Sequence, residues 1–156
     1  VTYSVGYEFY FSRVGNIKET VRSWLPNYLE PASPGLNVME AGRFQHEGGC
    51  DSTKRYFHVA ANARNKVAVI DPKEKKRHSL AETEGIKPHP GRGANWIDPE
   101  FGPVWATGHI GHSAVSVIGT DPENHPESAW KVVRKIKSFS SGNLFIKTHL
   151  NSKWVG

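Results

Sequence analysis

The sequence predicts an all-β fold built from repeated four-stranded units, a partial β-propeller. Three observations carry that expectation. Short β-prone runs bounded by turn residues dominate the chain. The runs recur with a period of about 48 residues, a blade-length repeat. A helix-spaced apolar stripe of useful length is hard to find; the best candidate, residues 16–29, is interrupted by Pro26.

The strand candidates follow in order. Residues 56–61 (YFHVAA) and 66–70 (KVAVI) form a first pair, closed by Asp71-Pro72. Residues 103–107 (PVWAT) and 114–118 (AVSVI) form a second, followed by Asp121-Pro122. Residues 129–133 (AWKVV) and 144–148 (LFIKT) come after them. The first pair resembles the second, turn included. Residues 147–149 fall where 106–108 fell, so a third copy starts near Leu144. At this period the chain holds roughly three blades, too few to close a ring, which is what a piece of a longer propeller looks like. The competing reading of the spacing is a β-sandwich.

Composition sets outer bounds. The 156 residues are enough for a buried core, and 37% hydrophobic with 22% charged residues fits a folded chain. No apolar run reaches the ~20 residues of a membrane helix, and the first residues do not form a secretory signal. The net charge of +5 favours anions in a general way. The densest basic run, residues 73–77, reads as a solvated hairpin turn, and no nucleic-acid-binding motif accompanies it. The single cysteine, Cys50, can form no internal disulfide, and there is no C-x-x-C-H for covalent haem attachment.

Two segments carry candidate chemistry: residues 43–49 (RFQHEGG) and 88–95 (PHPGRGAN). Each places a histidine, His46 or His89, in a stretch rich in Gly or flanked by Pro, which reads as a turn. Proline fixes φ and glycine lets a ligand approach the backbone, so such a segment can hold an imidazole that ligates, donates a hydrogen bond or delivers a proton. Alone, a histidine in a turn is most often a solvated surface residue. Arg92, three residues after His89, offers a planar fork suited to a carboxylate. His46-Glu47 begins like the zinc motif H-E-x-x-H, but Cys50 stands in the fifth position and the segment is too glycine-rich for the helix that motif needs. The remaining histidines, including His58, His78, His109, His112, His125 and His149, show no metal-ligand spacing.

These segments, with residues 51–57, 60–66, 101–107, 118–123 and 144–149, resemble the d-type haem domain of the cytochrome cd1-type nitrite reductases. The resemblance runs from Ala41 to about Lys153; residues 1–40 match weakly apart from Lys18-Glu19-Thr20. It implies that residues 1–156 are one internal piece of an eight-bladed propeller that holds haem d1 non-covalently. The implied parent is a periplasmic, homodimeric enzyme of denitrification that reduces nitrite to nitric oxide with one electron. His46 and His89 are then the distal proton donors, Arg92 contacts the acidic macrocycle and Phe145 packs near it. The proximal iron ligand, the c-type haem domain and its donor, a cytochrome c or cupredoxin, lie outside this chain, so the piece alone is expected to be inactive. The sequence departs from the family pattern at Leu150, where Pro is usual, and at His112-Ser113, where Asp-Asp is common. Three other readings use a propeller: a non-catalytic haem d1 carrier or maturation protein, a haem d1 dehydrogenase, and a platform for protein interactions alone. Keeping both distal histidines favours the nitrite reductase, since a carrier needs no proton donors.

Overall fold

The structure, a computed structural model, describes residues 2–4, 14–16, 22–26, 36–40, 45–61, 65–74, 76–83, 87–149 and 151–156, with side chains from Gly48 onward. Lys18-Glu19-Thr20, Arg43-Phe44, Lys75, Leu150 and the His46 side chain lie outside them.

Twelve strands appear among the described residues, in three consecutive antiparallel meanders. The first sheet is β1 (Thr2–Ser4), β2 (Val14–Asn16), β3 (Arg22–Pro26) and β4 (Leu36–Glu40), each paired with the next. Its third strand occupies part of the segment considered for a helix. The second sheet is β5 (Gln45–Cys50), β6 (Phe57–Ala61), β7 (Lys66–Asp71) and β8 (Lys76–Glu82). The third is β9 (Pro88–Asp98), β10 (Gly102–His109), β11 (Ala114–Gly119) and β12 (Val132–Lys137).

The runs expected at residues 56–61, 66–70, 103–107 and 114–118 are the middle strands β6, β7, β10 and β11, which are buried on both faces. Burial on both faces is why they read as continuous apolar runs. The strand expected at residues 129–133 begins three residues later, at Val132. Trp130 takes a left-handed φ of +62° and its N–H bonds Gly119 O, so residues 129–131 form a turn that feeds β12.

The two histidine-bearing stretches are not turns. His46 lies in β5 and His89 in β9, the first strand of its sheet in each case. Their Gly and Pro residues mark bulges and close approaches rather than chain reversals. In β5, two residues, His46 and Glu47, stand opposite one, Ala60. In β9, four residues (90–93) stand opposite Thr107 alone.

The core lies within and between the sheets. Phe57, Val59, Ala68 and Ile70 pack together within the second sheet. Trp105 and Ile118 of the third sheet meet Val67 and Ala81 of the second. This junction also stacks the fully buried His58 ring on Trp105, with centroids 4.8 Å apart and planes 17° apart. Truncating an aromatic side chain buried this way costs about 3–5 kcal/mol.

Adjacent first strands lie side by side. A Cβ on Gly49 would strike the Arg92 carbonyl, and Asn95 Nδ2 donates to Cys50 O at 2.9 Å. Residues 144–148 continue the series: Thr148 Oγ1 donates to Asn95 O at 3.0 Å, and Ile146 closes the cluster of Ala94, Val104, Ala106, Val115 and Val117. This segment therefore occupies the place of a next first strand. The alignment of residues 147–149 with the second-strand residues 106–108 is corrected accordingly, because an apolar residue followed by Lys-Thr fits either strand of a blade by pattern alone.

Candidate functional site

The bulged end of β9 is where the predicted residues converge. His89 is only 6% exposed, and its Nδ1 is 3.0 Å from the carbonyl of Leu144. A carbonyl only accepts, so Nδ1 carries the proton and the Nε2 edge is the one that can take up or give up another. The flanking Pro88 and Pro90 are buried. Their fixed φ holds the strand around the imidazole.

Beyond His89 the backbone turns through two left-handed glycines, Gly91 at φ +58° and Gly93 at φ +71°. Both are also places of close approach. A Cβ on Gly91 would come 2.8 Å from Phe145 Cδ1, and one on Gly93 would collide with the Trp105 indole. Arg92, between them, points its side chain into solvent and makes no ion pair among the described residues. Phe145 is 62% exposed although one edge of its ring rests on Gly91.

The structure thus brings His89, Arg92 and Phe145 together, with Leu144 as the link. His46 is placed by its backbone only. It stands three residues before Gly49, as His89 stands three before Arg92, and Gly49 and Arg92 touch. The two histidines therefore occupy the same end of neighbouring first strands.

Sequence reasoning missed two contributors. The Leu144 carbonyl has no sequence signal. Trp105 was seen only as a strand residue, although its indole N–H donates to Arg92 O at 3.3 Å. The pairing of a left-handed glycine with a buried Trp becomes visible once the sheets are assembled.

Three other titratable groups, His58, Cys50 and Asp98, belong to the packed sheets. Burial, opposed by the Gly49 backbone, pushes the His58 imidazole down to about 3, so it is neutral. Burial and neighbouring Asp51 push the Cys50 thiol up to about 11, which leaves it inert as a nucleophile. The Arg134 guanidinium, at 2.7 Å, holds Asp98 down to about 2. Among the described residues, no group of three or more His, Cys, Asp or Glu side chains is placed to hold a metal ion, and no helix is long and apolar enough to cross a membrane.

A family model described as "Cytochrome D1 heme domain" matches residues 7–155. This chain belongs to the cytochrome D1 heme domain family. A nitrite reductase of Stutzerimonas stutzeri is 48% identical over 145 residues, which is 90% of this chain and 26% of that protein. The chain thus spans about a quarter of that relative's length. Among solved structures, dihydro-heme d1 dehydrogenase NirN in complex with DHE superposes with a TM-score of 0.73 at 21% identity, over 92% of this chain and 29% of that one. Hydrazine synthase from Kuenenia stuttgartiensis gives 0.71 at 14% identity, over 92% and 37%. These two share the propeller-like fold.

The residues at the β9 end suit the group that names the family. A flat macrocycle carrying carboxylates needs an exposed aromatic surface, a cation with no competing anion, and backbone that can come close without a Cβ. Phe145, Arg92 and the Gly91–Gly93 bulge offer these three features.

Proposed function

We propose that this chain is about three blades of the eight-bladed haem d1 propeller of a periplasmic, NO-forming nitrite reductase, and that its β9 end is the distal face of the haem site. The observation that carries the proposal is the His89 clamp: a nearly buried imidazole, fixed in one tautomer by Leu144 O, beside an exposed arginine and an exposed phenylalanine. The 48% identity to a nitrite reductase across 90% of the chain supports the activity.

Haem d1, when bound, supplies an iron centre for the anion and the single electron. The overall reaction takes up one electron and two protons per nitrite and yields nitric oxide and water. The chain's residues supply the proton side. His89 holds a proton at Nδ1 against Leu144 O and offers a second from Nε2 when cationic, so it can donate to a nitrite oxygen and attract the anion. His46, at the same end of the neighbouring strand, is the proposed second donor. Arg92 binds the acidic edge of the macrocycle, and Phe145 covers its face and keeps water from it. The proximal ligand, the c-type haem domain, its cytochrome c or cupredoxin donor and a homodimeric state belong to the proposed whole protein.

The test is a product assay on the full-length protein reconstituted with haem d1. Nitrite with a one-electron donor is expected to yield one nitric oxide per electron. A protein that oxidises dihydro-haem d1 and leaves nitrite untouched is a dehydrogenase relative, and one that does neither is a carrier; both outcomes contradict the proposal.

A further inference from the structure

Trp105 is the largest fully buried side chain among the described residues, yet its only polar atom is directed at the candidate site. It stands on β10, the second strand of its sheet, and its Nε1–H reaches across to Arg92 O on β9 at 3.3 Å. A buried indole N–H needs an acceptor, and most ladder carbonyls are already taken. The Arg92 carbonyl lies in the bulge, where four residues of β9 face only Thr107, so side chains have to define the backbone there.

Two further contacts act on the same peptide. The Trp105 ring occupies the space beside Gly93 Cα and admits no side chain there, which leaves the left-handed φ of +71° to glycine. Gly49 of β5 also presses its Cα against the Arg92 carbonyl. The indole itself is held by the His58 ring of the neighbouring sheet, stacked at 4.8 Å. Arg92 is thus exposed at its guanidinium and gripped at its peptide.

We propose that Trp105 is a positioning residue for the cofactor site. Through the Arg92 carbonyl and Gly93 it sets the direction in which the Arg92 guanidinium leaves the bulge, and so the affinity for a macrocycle with acidic side chains. The inference rests on the haem d1 reading above. His58 acts one contact further out, as the plate against which the indole is held.

The experiment is a double-mutant cycle on full-length apoprotein titrated with haem d1, followed by the cofactor's visible absorbance. Trp105→Phe keeps an aromatic ring and removes the donor. Loss of one net hydrogen bond at a charged anchor predicts about tenfold weaker binding. In an Arg92→Ala background the same substitution is expected to cause no further loss, because the residue it positions is gone. A role in general packing would instead weaken binding equally in both backgrounds, and that result overturns the proposal. Unchanged affinity in the single variant overturns it too. If Trp105→Phe does not fold, β-(3-benzothienyl)alanine at position 105 keeps the bicyclic shape, removes only the N–H, and is read by the same cycle. Wild-type protein that does not bind haem d1 overturns both this inference and the function it rests on, whereas wild-type binding with an additive cycle removes this inference alone.

Discussion

His58→Leu tests how the sheets are held together and what acid does to them. His58 is fully buried between the second and third sheets, stacked on Trp105 and 5.8 Å from Trp130. Burial lowers its folded-state value from 6.5 to about 3. The unfolded chain therefore binds a proton that the native protein refuses. The stability tied to His58 is complete above the unfolded value and is lost as pH falls from there towards 3. Within that window the slope approaches about 1.4 kcal/mol per pH unit, and the loss between about pH 7.5 and about pH 4.5 is on the order of 2–3 kcal/mol. Leucine has a similar volume and no proton to bind, so the variant is expected to lack this part of the acid limb. The assay is urea unfolding at a series of pH values, followed by tryptophan fluorescence, with the m-value as a check that the same transition is seen. The readout is the difference in stability between the two proteins as a function of pH, not either value alone. That difference should shift by roughly 2–3 kcal/mol in favour of the variant across the window. Parallel curves would refute the reasoning and mean that His58 is not buried as a neutral ring.

Two other expectations concern the bulge. Gly93→Ala combines a left-handed backbone with a clash against the Trp105 indole, and is expected to destabilise the protein by about 2–5 kcal/mol; an unchanged urea midpoint would mean that the bulge is loose. Arg92→Ala, at an exposed residue without an ion pair among the described residues, should leave apoprotein stability within about 0.5 kcal/mol while weakening haem d1 retention about tenfold or more. Full haem occupancy after exhaustive dialysis would remove Arg92 from the site.

The sequence revealed the middle of the second and third sheets and concealed most of their borders, whereas none of the strands of the first sheet was legible. β6, β7, β10 and β11 are buried on both faces and so read as unbroken apolar runs between turn residues. The last strands carry exposed or half-exposed Lys76, Arg77 and His78 in β8 and Arg134, Lys135 and Lys137 in β12; that polarity hid β8 and left only the start of β12 legible. The first strands were hidden for the opposite reason. Pro88, Pro90, Gly91 and Gly93 spell a turn by local rules, but here they serve a bulged strand whose neighbours leave no room for a Cβ. The composition that misled the secondary-structure reading is the same composition that marks the site. Its residues, His89, Arg92 and Phe145, could be named beforehand through the family resemblance. The Leu144 and Trp105 contacts that hold them could not, because they join positions 55 and 13 residues apart along the chain.

The central claim is that His89 delivers protons to nitrite at a haem d1 site. The most direct measurement is nitrite turnover by the His89→Ala variant of the full-length, haem d1-loaded protein, with haem content determined on the same sample. Loss of a positioned proton donor predicts a fall in kcat of about 10²–10⁴-fold with haem d1 still bound at full occupancy. Unchanged turnover at full occupancy would contradict the account.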